Sequence, residues 1–275
     1  MGNIDFSNPK PVSLLSDLIT YATNPEESAL IMDFFSGSAT TAHGLFTANV
    51  ADNGNRRFIM IQLPEPCDAE SEAFQAGYKN ICEIGKERIR RAGQKVRQPL
   101  VELAELRLAL SDMNSELDEH KKNEFSKQYD KSKALDIGFR VLKLDDSNME
   151  DVYYSADEIT QETLAEAEFN IKPDRTDLDL LFGCLLEWGL PLSLPYRSEK
   201  VDGCTVHTYN DGDLVACFDK NIPESVIRSI ASRRYDGQCA LRAVFRDISF
   251  SGSPEKINVE EIFKLLSPDT RVKVI

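Results

Sequence analysis

The chain has 275 residues, enough for one large or two ordinary domains with a substantial core. Apolar residues make up 41%, no apolar run is long enough to cross a bilayer, and the N-terminus lacks the charged-then-apolar pattern of a signal peptide. A cytoplasmic protein with no membrane partner is therefore expected. The six cysteines (Cys67, Cys82, Cys184, Cys204, Cys217 and Cys239) include no CxxC pair, so they read as buried thiols and no metal site is expected. A net charge of −14 weighs against this chain gripping DNA unaided, because phosphate contacts need Lys and Arg.

In chain order, Pro11 opens a helix carrying Leu14, Leu15, Leu18 and Ile19 at helical spacing, and Asn24-Pro25 breaks it. Residues 29–35 form a nearly continuous apolar run, as expected for a parallel strand covered on both faces. A Ser-Gly-Ser turn leads into a helix over 40–49, a turn at 52–55, a second strand over 57–63 and a second helix over 74–92. Strand–helix–strand–helix with short loops implies right-handed crossovers and a parallel sheet. Pro99 opens a region without Gly or Pro that reads as a long helix or helical hairpin to about Lys133.

Further on, residues 138–144 suggest a strand, 157–169 a helix, and 177–188 an apolar helix stopped by Gly189 and Pro191. Residues 205–209 and 214–218 flank an Asn-Asp-Gly-Asp turn and predict a hairpin. Helix 223–233, strand 240–245, helix 259–266 and strand 271–275 complete a second α/β unit. The Ser193-Leu194-Pro195-Tyr196 stretch reads as a loop, and Trp188 as core. The expected organisation is 1–98, a first α/β part; 99–137, a helical connector; and 138–275, a smaller α/β domain.

Chemistry concentrates in Asp33-Phe34-Phe35-Ser36-Gly37-Ser38-Ala39-Thr40-Thr41. A buried strand delivers the chain into a turn of small residues, and a helix begins at once. Free backbone N–H groups and the positive helix end then face a ligand at the carboxyl edge of the sheet. Any doubly wound protein could show this pattern, so its neighbours matter. From Lys79 to Arg97 seven basic residues face only Glu83 and Glu87. That stripe could touch a nucleic-acid backbone near Lys86, Arg88, Arg90 and Arg91, or be a solvated helix face. His43, one turn into the helix, reads as a packing or surface residue.

The segments Asn8 to Leu15, Asp33 to Thr41, Arg56 to Glu65 and Gly77 to Ile89, taken in this order, resemble the cofactor half of the amino-methyltransferases whose catalytic tetrapeptide comes first. Gly138 to Asn148 and Val244 to Ile275 are similar to the C-terminal region of type III modification subunits, adenine-specific DNA methyltransferases of restriction-modification systems. The resemblance implies an incomplete Rossmann-like S-adenosylmethionine (SAM) subdomain at 1–98 and an assembly or partner-contact domain at 138–275. It implies that Asp33, Phe34, Ser36, Gly37, Ser38 and Thr40 line the methionine end of SAM, with Lys10 and Pro11 alongside. Gln62 takes the place of the acid that usually meets the ribose hydroxyls, and Glu65 is the fallback. Ala39 stands where the family has Gly, and a positive φ there would cost on the order of 1 kcal/mol.

The family's Asp/Asn/Ser-Pro-Pro-aromatic tetrapeptide, which holds the flipped base, has no counterpart in this sequence. Only nine residues precede Lys10, so the chain reads as truncated and inactive by itself. The resemblance implies DNA as a partner through the absent regions, a restriction subunit as a second partner, and a homodimer of the intact subunit. The competing reading is a non-catalytic binding or assembly module that keeps the fold without useful SAM affinity.

Overall fold

The computed structural model describes residues 10–113, 119–150 and 171–275. They fall into two compact units divided between Phe139 and Arg140, and the architecture is mixed α/β. The helix expected over 157–169 lies outside the described residues. Among those described, no helix is long and apolar enough to cross a membrane.

The first unit holds α1 (Val12–Ala22), β1 (Leu30–Phe34), α2 (Thr40–Asp52), β2 (Arg57–Ile61), α3 (Glu72–Gln75), α4 (Ile81–Met113) and α5 (Glu119–Lys133). Pro11 caps α1 with φ −60°, an angle its ring already imposes. Strands β1 and β2 pair in parallel, with Asp33 opposite Met60, and α2 makes the crossover. Ile31, Phe58 and Met60 face the core under α2, where Ala42, Leu45, Phe46 and Ala48 meet Ile19 of α1 and Ile89 and Ala92 of α4. The alternate residues behave differently. Leu30, Met32, Phe34, Ile59 and Ile61 are exposed, so the expected cover on both faces is present on only one among the described residues.

Two helical readings are corrected. The helix expected over 74–92 is interrupted: Ser71 caps the short α3, Gly77 takes φ 97°, and α4 starts only at Ile81. Helix α4 then runs through Pro99 to Met113. A proline inside a helix forfeits one hydrogen bond and crowds the preceding turn. The helix nevertheless continues and packs along α5, with Arg107 donating to Gln128 at 2.9 Å and Tyr129 to Glu105 at 3.4 Å.

The second unit holds α6 (Asp177–Glu187), β3 (Tyr196–Val201), β4 (Cys204–Tyr209), β5 (Leu214–Cys217), α7 (Glu224–Ser232), β6 (Arg242–Phe245), α8 (Ser253–Leu266) and β7 (Arg271–Val274). The sheet order is β3-β4-β5-β6-β7, antiparallel through β5 and parallel after it. Helix α6, fixed by a Thr176–Asp179 capping box, covers one face through Leu180, Leu181 and Leu185. Helices α7 and α8 cover the other through Val226, Ile230, Ile262 and Phe263. Trp188 packs at the α6 side, with Arg242 and Lys273 over its ring.

Three expectations change in this unit. Tyr196 opens edge strand β3 rather than ending a loop, and α8 begins six residues before Val259. Residues 138–144 form no strand. Their alternation finds no partner strand, and Arg140 instead donates to the carbonyls of Leu192 and Leu194 while lying over Phe182 and Tyr196.

Candidate functional site

Strand β1 ends at Phe34, and the chain turns through three left-handed residues: Phe35 (φ 59°), Gly37 (φ 53°) and Ala39 (φ 58°). Helix α2 starts at the next position, with no side chain capping its N-terminus. Within the turn, Ala39 N–H donates to Ser36 O at 2.8 Å, and Ser36 N–H reaches back to Ile61 O at 3.1 Å. Asp33, on the core-facing side of β1, accepts from the Thr41 hydroxyl at 2.5 Å and ties the strand end to the first turn of α2. A Cβ at Gly37 would meet nothing within 4 Å, so the turn is open to a ligand at that point.

Gln62 follows β2 directly. Its side-chain carbonyl accepts from Gly37 N–H at 2.7 Å, and its amide donates to Leu63 O. The residue expected to meet a ribose is thus also a strut for the turn, and its oxygen keeps one further lone pair. Asp33, Ser36, Gly37, Ser38, Thr40 and Gln62 are brought together. Phe34 points to the exposed side of the sheet and is 63% accessible. Lys10 and Pro11 stand at the start of α1, and among the described residues neither joins the hydrogen bonds of the turn. Glu65 is exposed, and its backbone carbonyl anchors Ile81 N–H at the start of α4.

Ala39 does adopt the positive φ that favours glycine, a strain of roughly 1–2 kcal/mol for an L-residue. The residue is 2% exposed, and burying its methyl group returns about 0.8 kcal/mol. Burial therefore recovers only part of the strain at Ala39.

The basic stripe does not form one free face. Arg88 donates to the Ser38 hydroxyl at 2.8 Å; Arg91 pairs with Glu87 at 2.8 Å; Arg90 lies near the same carboxylate and over Phe139. Sequence reasoning also missed Arg56. Fully buried, it binds Asp52 with both terminal nitrogens (2.9 and 2.8 Å) and Thr23 Oγ1 through Nε, joining α1, α2 and β2. No pattern marks this role, because the partners come together only in the fold.

Half-buried His43 is pushed down to about 4, first by burial and then by the positive charges of Arg88 and Lys95. A histidine whose folded value lies below its unfolded 6.5 favours unfolding once protonated, so stability held above pH 6.5 is lost as pH falls toward 4. Across that window the parent should lose on the order of 1–2 kcal/mol more than a His43→Gln variant, the shift being discounted for solvent screening at the partly exposed ring. Denaturation curves at several pH values check this, and parallel losses in the two proteins would contradict it.

Two clusters in the second unit were not foreseen. His207, buried in β4, meets Ser198 through Nδ1 at 2.8 Å and Asp177 of α6 through Nε2 at 3.4 Å, joining the edge strand to the helix. Cys204, Cys217 and Asp219 bring their ligand atoms within 4.8 Å of one another. Burial pushes the Cys217 thiol up to about 12 and that of Cys204 upward, and the Asp219 carboxylate accepts from Thr205 N–H. As they stand, these are protonated core thiols.

No family model matches the chain. Its curated relatives are DNA-modification proteins. Over 83 residues it is 34% identical to the type II methyltransferase M.KpnI of Klebsiella pneumoniae, a stretch of 30% of this chain and 19% of that protein. The type III enzymes are more similar. The chain is 41% identical over 92 residues to the Mod subunit of the type III restriction-modification enzyme EcoP15I of Escherichia coli, covering 34% of this chain. It is 38% identical over 96 residues to the StyLTI Mod subunit of Salmonella typhimurium, covering 35%. About a third of the chain is therefore similar to type III Mod subunits, and the match spans 14% of the length of each of these two Mod relatives.

Proposed function

We propose that this chain supplies the SAM-binding part of a site-specific DNA methyltransferase of the type III kind, acting on the exocyclic amino group of adenine. The observation that carries the reading is the left-handed turn between β1 and α2, open at Gly37 and braced by Gln62. Uncapped helix N–H groups and the Ser38 and Thr40 hydroxyls suit the amino-acid end of SAM, and Arg88 donates to the Ser38 hydroxyl from behind the turn. When bound, SAM supplies a methyl group on a sulfonium centre. The chain's own part is to hold that ligand: Asp33 fixes the strand end to α2, and Gln62 keeps Gly37 N–H oriented.

In this reading residues 1–98 form part of a Rossmann-like methyltransferase subdomain, 99–137 a helical connector and 138–275 an assembly domain. The exposed face carrying Leu30, Met32, Phe34, Ile59 and Ile61 is where the remainder of a methyltransferase domain packs, since parallel sheets are covered on both sides. That remainder brings the base-holding tetrapeptide and the DNA contacts. A restriction subunit and a second copy of the intact subunit are its further partners. Joining residues 10–275 to the part of the EcoP15I Mod subunit that precedes the matched stretch should give SAM-dependent methyl transfer to adenine. Absence of transfer by a chimera that binds SAM would overturn the catalytic half of the proposal.

A second reading, an assembly module without useful SAM affinity, is favoured by the strained Ala39 and by the bond that already occupies Gln62. Undetectable SAM binding by the chain is its expected outcome.

A further inference from the structure

Helix α4 presents Cys82, Gly85 and Arg88 at three-residue intervals, which places them on one face. Each meets the candidate site or its supporting strand. The Cys82 thiol donates to Gln62 O at 3.4 Å. Gly85 is buried against the turn: a Cβ there would lie 3.2 Å from Gly37 O and 3.6 Å from the Ala39 methyl. Arg88 completes the face by donating from Nη1 to Ser38 Oγ at 2.8 Å. Ser38 lies between two left-handed residues, in the part of the turn that Gln62 does not hold.

We propose that Arg88 is a positioning residue for the cofactor turn, acting through the Ser38 hydroxyl to hold the Gly37–Thr40 backbone in its ligand-receiving shape. The inference rests on the cofactor reading above. A charged donor to a hydroxyl makes a stronger bond than a neutral pair, and partial burial strengthens it further. Burial also lowers the Arg88 pKa, the direction expected for a cation drawn out of water. Gly85 lets α4 approach the turn closely, since a Cβ there would press on the Gly37 carbonyl.

A residue that shapes the turn affects every ligand seated there, whereas one that touches the ligand carboxylate affects only ligands that carry it. SAM and decarboxylated SAM, titrated calorimetrically into the full chain and into Arg88→Met, Arg88→Lys, Ser38→Ala and the Arg88→Met/Ser38→Ala pair, separate these cases. Arg88→Met and Ser38→Ala should each weaken both ligands by about tenfold, the scale of one charge-assisted hydrogen bond. The double variant should lose clearly less than the product of the two single losses, since both single variants remove the bond between Arg88 and Ser38. Arg88→Lys should recover part of the loss.

Unchanged affinity in Arg88→Met, a loss confined to SAM, or losses that multiply in the double variant would each overturn the inference while leaving the cofactor reading intact. Ser38→Ala keeps the test decisive should Arg88→Met fail to fold. A parent chain that binds neither ligand removes the cofactor reading and this inference together.

Discussion

Replacing Arg56 with methionine should destabilise the first unit by roughly 2–3 kcal/mol, because several buried hydrogen bonds are lost while the Asp52 carboxylate left behind is partly hydrated. The guanidinium has no solvent exposure, and its bonds reach three elements: Thr23 after α1, Asn49 and Asp52 in α2, and its own position before β2. Methionine fills much of the volume but leaves the Asp52 carboxylate without its cation and Thr23 without its donor. Lysine keeps the charge but cannot reproduce the two-nitrogen grip, so Arg56→Lys should lose about half as much.

The pH dependence adds an independent check. The Arg56 hydrogen bond, chiefly, holds Asp52 below its usual 3.8. The stability this carboxylate contributes is therefore present above about pH 3.8 and lost as pH falls through its folded value. That portion of acid sensitivity should shrink in Arg56→Met, the Gly54 N–H bond to the carboxylate remaining. A melting temperature within a few degrees of the parent would contradict the account, since about 10 °C is expected for a unit of this size.

Gly212→Ala should cost roughly 3 kcal/mol in the second unit, from two sources. Gly212 has φ 109°, outside the range comfortable for L-residues, and its Cβ would stand 2.5 Å and 2.7 Å from ring atoms of Tyr235. It closes the connection between β4 and β5, and its carbonyl accepts from Leu241 N–H at 2.8 Å, just before β6. The ring cannot move without disturbing the core beneath α7. Gly203→Ala is the control: φ is 85°, but nothing lies within 4 Å of the added methyl. It should lose only about 1 kcal/mol, so the difference between the two variants isolates the clash. Equal losses in chemical denaturation would show that Tyr235 yields freely.

These effects mark where the sequence was legible and where it was not. Strand β1, helix α2 and strand β2 announce themselves through a short apolar run, a turn of small residues and a second apolar run. The hairpin around Gly212 is equally plain, because residues that accept positive φ separate two apolar segments. Edge strand β3 is not, for Tyr196 to Lys200 are all exposed and carry no alternation of burial. Residues 138–144 err in the opposite sense, since alternation alone cannot supply a partner strand. Pro99 misleads because tertiary packing overrides a local preference. At the candidate site the turn was readable, but the Gln62 brace, the approach of Gly85 and the reach of Arg88 depend on distant segments meeting. The strain at Ala39 was readable as a conditional, and φ 58° meets the condition.

We propose that the turn between β1 and α2 receives SAM. Calorimetric titration of the chain with SAM, beside a Gly37→Asp variant, tests it most directly. Gly37 has φ 53° and open space where a side chain would stand, so aspartate would strain the turn and place a carboxylate in the ligand's path. Binding near the micromolar range, about −8 kcal/mol, is expected in the parent and none in the variant. Equal binding by the two proteins, or none by the parent, would contradict it.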